Sequence, residues 1–195
     1  MRCFKYVCIF YIFFLSEYKF VYAQNSTVFF SEDTYWVDSV LSELSDDEKI
    51  AQLLMVAAYS NKDENHKTYV SELIKKYKIG GLMFLQGGPV RQAKLTNYYQ
   101  SISKTPLMIA IDAEWGVAMR LDSCLRFPWQ MTLGATIDKS LIYEMGVEIA
   151  RQCKLLGIHI NFAPVVDVNS NPNNPIINNR SFGENPVKVG ELSTL

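Results

Sequence analysis

Histidine and cysteine are scarce in this 195-residue chain, and their scarcity removes whole classes of chemistry. His66 and His159 are the two imidazoles, and no cysteine or histidine spacing fits a zinc site. Net charge is small as well, −1 from 19 basic and 20 acidic residues. That balance gives no electrostatic footprint for nucleic acid and no basic amphipathic face for a membrane surface. No phosphate loop, dinucleotide fingerprint, nucleophile elbow or serine–lysine motif occurs. The expectation is a protein without metal, cofactor or nucleic-acid partner.

Long apolar runs are few. The block Val7 to Leu15 is too short to span a bilayer comfortably. Arg2 and Lys5 precede it, and Val21-Tyr22-Ala23 stands before Gln24. A basic start, a short apolar core and small residues before a cut describe a secretory signal peptide over residues 1–23. Glu17 and Lys19 interrupt the segment, so a buried N-terminal helix is the competing reading. Cleavage after Ala23 would leave residues 24–195 as an exported, periplasmic or extracellular domain of net charge −3, with no membrane span. Cys3 and Cys8 would leave with the leader. Of Cys124 and Cys153, the second sits in phase with Ile142, Met145, Ile149 and Leu156, the spacing of a core stripe. A buried free thiol is favoured there over a disulfide, since free cysteine behaves as a small hydrophobe.

What is present is an alternation. Apolar residues at helical period run through Asp33 to Leu44, and Ser45-Asp46-Asp47-Glu48 forms a capping box. Leu53 to Ala58 has strand length, and Val70, Leu73, Ile74 and Tyr77 mark a helix. Ile79 to Leu85 reads as the second strand, followed by the turn Gln86-Gly87-Gly88 and a helix from Pro89 that must stop before Pro106. Leu107 to Ile111 is the third strand. Arg120 to Gly134 has no clear period. Asp138 caps a helix over Lys139 to Leu156 that Gly157 ends, and Ile158 to Val168 forms the fourth strand and its lip. An Asn- and Pro-rich loop and a new helix from Pro186 follow. Strand and helix alternating four times without a hairpin signal indicate an α/β fold, a parallel sheet with helical crossovers. Four such units are the first half of a TIM-type (β/α)8 barrel, or alternatively a self-contained doubly wound sheet. In a half barrel, Val165, Val166, Ile109 and Met83 are expected to lack facing strands.

Polar groups gather at the expected C-terminal ends of these strands, where α/β folds place ligand sites. Gln86 follows strand two, Asp112 and Glu114 follow strand three, Asp167 follows strand four, and Arg180 lies beyond it. Carboxylates accept hydroxyls, arginine clamps oxygen, and the rings of Trp115 and Phe182 offer stacking area, a set suited to a neutral polyhydroxylated ligand. Each residue has a plainer alternative. Asp112 could cap a turn, Asp167 could build an Asx turn, and Arg180 could be a surface ion-pair partner. Trp115 could be packing, and His159 is read as a satisfied core histidine.

At these residues the sequence resembles glycoside hydrolase family 3, in the N-terminal barrel domain shared by β-glucosidases and β-N-acetylglucosaminidases. Four segments carry the likeness: Ile79 to Leu85 (IGGLMFL), Ile111 to Gly116 (IDAEWG) with Arg120, Asn161 to Val168 (NFAPVVDV) and Arg180 to Gly183 (RSFG). The resemblance implies a retaining glycosidase acting on carbohydrate with terminal β-linked N-acetylhexosamine or glucose. It implies that Asp112, Arg120 and Arg180 bind the sugar, with Glu114, Trp115 and Asp167 lining the site or supporting it from behind. The family's Lys-His-Phe-Pro-Gly-His segment, its Asp-Ser-His loop and its nucleophilic Asp have no counterpart up to Leu195, so no catalytic residue is expected within this chain. A sugar-binding module without catalysis, or catalysis by Asp112 with Glu114 alone, are the competing readings.

Overall fold

A computed structural model describes residues 34–195, so the expected leader and the stretch after it lie outside the described residues. The chain divides into two compact units, one ending at Ser39 and one running from Val40 to Leu195. The expected first helix is present as α1, Tyr35–Glu43.

The capping box forms as the sequence predicts. Ser45 Oγ accepts from the Glu48 amide at 3.3 Å, and the Glu48 carboxylate accepts from the Ser45 amide at 2.9 Å. It opens the short α2, Asp46–Ala51. Strand β1 is Met55–Tyr59 rather than Leu53 to Ala58. The amides of Leu53 and Leu54 donate back to Ile50 and Ala51, which keeps both residues in the turn leaving α2 and leaves Leu53 85% exposed. Helix α3, Glu64–Glu72, widens into a π-turn over Leu73–Tyr77 that ends on Lys78 at φ 54°. Strand β2, Gly81–Gln86, begins two residues later than the apolar run suggests. Helix α4, Pro89–Ile102, carries proline in its first turn, and β3 is Met108–Ile111.

The stretch without a clear period, Arg120 to Gly134, is mostly irregular, with a 3-10 turn at Val117–Met119 just before it and the short α5 at Gln130–Gly134. Helix α6, Ser140–Leu155, is the long amphipathic helix, and Asp138 accepts from the Ser140 amide at its start. Gly157, at φ 66°, lets the chain leave that helix in a left-handed conformation. After β4, Ile160–Asn161, come a 3-10 turn at Asn178–Arg180 and α7, Pro186–Ser193.

The four strands lie in sequence order and every pair is parallel. This is the arrangement of four consecutive β/α units. Register separates the two faces of the sheet. Ala58, Leu82, Phe84, Ile109 and Ile111 are fully buried in one cluster with Val70, Ile74, Tyr99, Ile149 and Cys153 of the helices. The alternate residues Ala57, Met83 and Leu85 are half-buried, and Met108 is 49% exposed. Ile109 therefore differs from expectation: the two-residue period turns it toward the helices, and Met108 takes the open face. Cys124 and Cys153 are both free, Cys153 buried as its spacing predicts, and burial pushes its thiol up.

The fourth strand is shorter than the sequence suggests. Ladder pairing to β3 stops after Asn161, and Pro164, which has no amide hydrogen, interrupts the continuation. His159 differs too. It is exposed rather than part of the core, and its Nδ1 accepts from the Ile109 amide at 2.9 Å. Its own amide donates to Ile109 O, so the residue clamps the start of β4 to β3 from both sides.

Candidate functional site

The polar residues singled out by the sequence converge at the C-terminal ends of β3 and β4. Asp112 is the first residue after β3, half-buried, and its carboxylate pairs with Arg120 Nη2. Arg120 Nε donates to the backbone oxygen of the same Asp112 at 3.1 Å, so one guanidinium holds both ends of the residue. The 3-10 turn Val117–Met119 makes this possible by folding the chain back over eight positions.

Glu114 is two residues further along and its side chain is 1% exposed. Arg180 closes on it in a fork. Nη2 donates to Oε1 at 2.7 Å, and Nε lies 3.0 Å from Oε2 and 3.1 Å from Oε1. Burying a carboxylate requires a partner, and the fork supplies a charge-assisted, geometrically fixed one. Arg180 is held further into its charged form, first by this hydrogen bonding to Glu114, then by the charges of Glu114, Asp112 and Asp167. It is thus no ordinary surface ion pair, and Asp112, Glu114 and Asp167 all lie close enough to act on Arg180.

Asp167 is exposed, and its backbone oxygen accepts from Ser181 Oγ at 2.6 Å. Ser181, fully buried, also engages the backbone of Gly183 and ties the Arg180 segment to the end of β4. Trp115 packs against Trp129, with ring centroids 4.1 Å apart, and Arg126 sits over both rings. Phe182 offers no free ring face. It is buried with Leu133, Ile142, Val189 and Leu192, because the extended Ser181–Phe182 segment turns its side chain into a second apolar cluster. Gln86 is exposed at the end of β2.

Three supporting residues escaped the sequence reading. Asn161 Oδ1 accepts from the Ala113 amide at 2.9 Å and so holds the loop that carries Asp112 and Glu114. Gln130 and Ser181 hold the segment after β4. Asparagine at the end of an otherwise apolar strand was the one available signal. Gly116, at φ 86°, is needed for the loop itself: a Cβ there would lie 2.6 Å from the Phe127 ring.

The arrangement can bind but has no free acid–base pair. Both site carboxylates nearest β3 are neutralised by arginines. The guanidinium edge of Arg180 not used by Glu114 and the half-buried oxygens of Asp112 remain able to donate to and accept from hydroxyls. An apolar groove of about 390 Å³ runs beside β4, lined by α6 residues such as Met145, Ile149 and Cys153 and reached by Glu114 and Asn161. Its lining suits packing rather than hydroxyl recognition. Among the described residues no three His, Cys, Asp or Glu side chains converge to hold a metal ion, and no helix is long and apolar enough to cross a membrane.

A model of the glycosyl hydrolase family 3 N-terminal domain matches residues 45–194. Beta-hexosaminidase A of Pseudoalteromonas piscicida is 45% identical over 136 residues, 63% of this chain and 23% of that protein. A beta-N-acetylglucosaminidase/beta-glucosidase of Cellulomonas fimi is 30% identical over 80% of this chain and 27% of its own length. Among solved structures, the beta-glucoside phosphorylase BglX bound to 2FGlc superposes with a TM-score of 0.77 at 28% identity, over 84% of this chain and 29% of that one. The family 3 beta-N-acetylglucosaminidase of Paenibacillus sp. str. FPU-7 gives a TM-score of 0.68 at 33% identity, over 77% and 30%. The chain thus spans between 23% and 30% of the length of these relatives.

Proposed function

We propose that this chain, which belongs to glycosyl hydrolase family 3, forms the sugar-binding part of an exported retaining glycosidase that removes terminal β-linked N-acetylhexosamine. Asp112, Arg120 and Arg180 contact the sugar, and Glu114, Trp115 and Asp167 line or support the pocket. The observation that carries this reading is the pairing at the end of β3. Asp112 is held half-open by its pair with Arg120, which leaves its carboxylate oxygens as acceptors for sugar hydroxyls. Arg180 is held in place by Glu114 with donors to spare. Retaining hydrolysis needs a nucleophilic carboxylate and a separate acid/base group placed close to it. With Asp112 and Glu114 committed to arginines, that pair belongs outside the residues gathered here.

The hexosaminidase assignment is supported by the beta-hexosaminidase relative at 45% identity. A β-glucosidase is the second reading, favoured by the Cellulomonas relative that carries both names and by the beta-glucoside neighbour. Turnover of p-nitrophenyl N-acetyl-β-glucosaminide against p-nitrophenyl β-glucoside by the full-length protein separates them. Higher kcat/KM on the N-acetylated substrate is expected. Asp112→Ala should lose at least about tenfold in kcat/KM, the equivalent of a charged hydrogen bond of ~1.5 kcal/mol. Unchanged kinetics would remove Asp112 from the sugar contact. Export rests on residues 1–23, and N-terminal sequencing from the native host should find Gln24 first; an intact Met1 in a cytoplasmic fraction would overturn it.

A further inference from the structure

We infer that Glu114 is a positioning residue that also sets the charge of the pocket, so that the site takes an uncharged terminal sugar and turns away its anionic counterpart. This rests on the sugar-binding reading above and adds to it a determinant of which sugars enter.

An arginine at the mouth of a pocket is a ready carboxylate or phosphate clamp, because its guanidinium fork matches both anions and never loses its charge. Arg180 would be such a clamp if it stood alone. Instead its Nε–Nη2 edge is filled from behind by the two oxygens of Glu114. The backbone is fixed as well, since the neighbouring Ser181 hydroxyl donates to Asp167 O at 2.6 Å. Arg180 therefore cannot swing to meet a ligand. It presents its outer edge, where Nη1 spends one long 3.4 Å contact on Ile176 O.

Charge completes the selection. Asp112 is balanced by Arg120 and Glu114 by Arg180, and Asp167 lies within electrostatic reach of Arg180 with no salt-bridge partner among the described residues. The five side chains leave the pocket with a net negative charge. Glu114 is the member sealed from solvent, so its charge is the least screened by salt. A buried carboxylate is costly to keep, and an apolar residue of similar size would pack there without that cost. Its presence is accounted for by what it does to Arg180: it aims the guanidinium and cancels its attraction for anions.

The test measures competitive inhibition of the full-length protein by N-acetylglucosamine and by glucuronate. In Glu114→Gln the amide still accepts one hydrogen bond from Arg180 but carries no charge. The N-acetylglucosamine Ki should rise while the glucuronate Ki falls, moving their ratio by about tenfold. Glu114→Asp, which keeps the charge, should hold the wild-type ratio. A parallel rise of both constants in Glu114→Gln would mean a packing role alone and overturn the inference. Should that variant not fold, the wild-type protein still decides. Its Ki for glucuronate should exceed that for the uncharged glucuronamide by about tenfold, and equal constants would overturn the inference. Failure of the wild type to bind or cleave any neutral glycoside would instead overturn the sugar-binding function itself.

Discussion

The side-chain amide of Gln130 pairs with the backbone of Val165 as a neighbouring strand would. Nε2 donates to Val165 O at 2.9 Å and the Val165 amide donates to Oε1 at 3.1 Å. This explains how the chain continues extended past β4 after its ladder to β3 has ended. A backbone with no strand beside it must find other partners, and the amide of asparagine or glutamine carries the same donor and acceptor as a peptide group. Gln130 is itself buried, so the pair is shielded from water.

Removing that amide should loosen the segment that leads to Asp167. Gln130→Ala is expected to cost about 1–3 kcal/mol, because the Val165 amide and carbonyl would be left without a partner. Hydrogen exchange followed by NMR should show the Val165 amide exchanging faster than in wild type. Unchanged protection would mean that another group, or water, serves it equally well.

The Glu114–Arg180 pair should respond unequally to its two halves. Arg180→Met leaves a carboxylate with 1% exposure and no partner, a loss of about 3–5 kcal/mol. Adding Glu114→Gln to that variant removes the stranded charge and should recover part of the stability. Chemical denaturation of the single and double variants measures both. Additive losses would show that the two side chains do not depend on each other.

Gly116 should tolerate no side chain. At φ 86°, with the Phe127 ring 2.6 Å from where a Cβ would sit, Gly116→Ala combines backbone strain with a clash. A destabilisation of roughly 1–3 kcal/mol is expected from the strain, and kcat/KM should fall because Glu114 lies in the same loop. A thermal melt and one kinetic assay settle it; wild-type values in both would show the loop to be pliable.

His66 should make stability depend on pH. Its Nε2 accepts from the Tyr59 amide at 3.2 Å at the end of β1, a role open to the neutral ring alone. Burial, then the charge of Lys62, holds its pKa below the ordinary 6.5, with Asp63 opposing. A depressed histidine pKa means the unfolded chain binds the proton more readily. The contribution is complete above about pH 6.5, the unfolded value, and is lost as pH falls through the lower folded value. The difference in melting temperature between wild type and His66→Gln should therefore shrink from pH 7.5 to 5. A constant difference would remove His66 from the account.

Much of this architecture was legible in the sequence, because it depends on neighbours in the chain. The capping box at Ser45, the proline opening α4, the glycine closing α6 and the core phase of Cys153 are set by local geometry and side-chain period. Alternation of apolar runs with helices was enough to indicate a parallel sheet. The same reading placed Asp112, Glu114, Asp167 and Arg180 near strand ends. It did not show that Glu114 is sealed beneath Arg180, 66 positions away, or that Gln130 completes a strand 35 positions on. It also put Ile109 on the open face, His159 in the core and Phe182 at the ligand. Those outcomes turn on which way a given residue faces, and on which distant backbone group lacks a partner. A shift of one residue in a strand reverses every side chain, and an unpaired amide is visible only once the chain has folded around it. Local order follows from spacing along the chain; the partners of buried polar groups follow from packing, which brings together residues that no period connects.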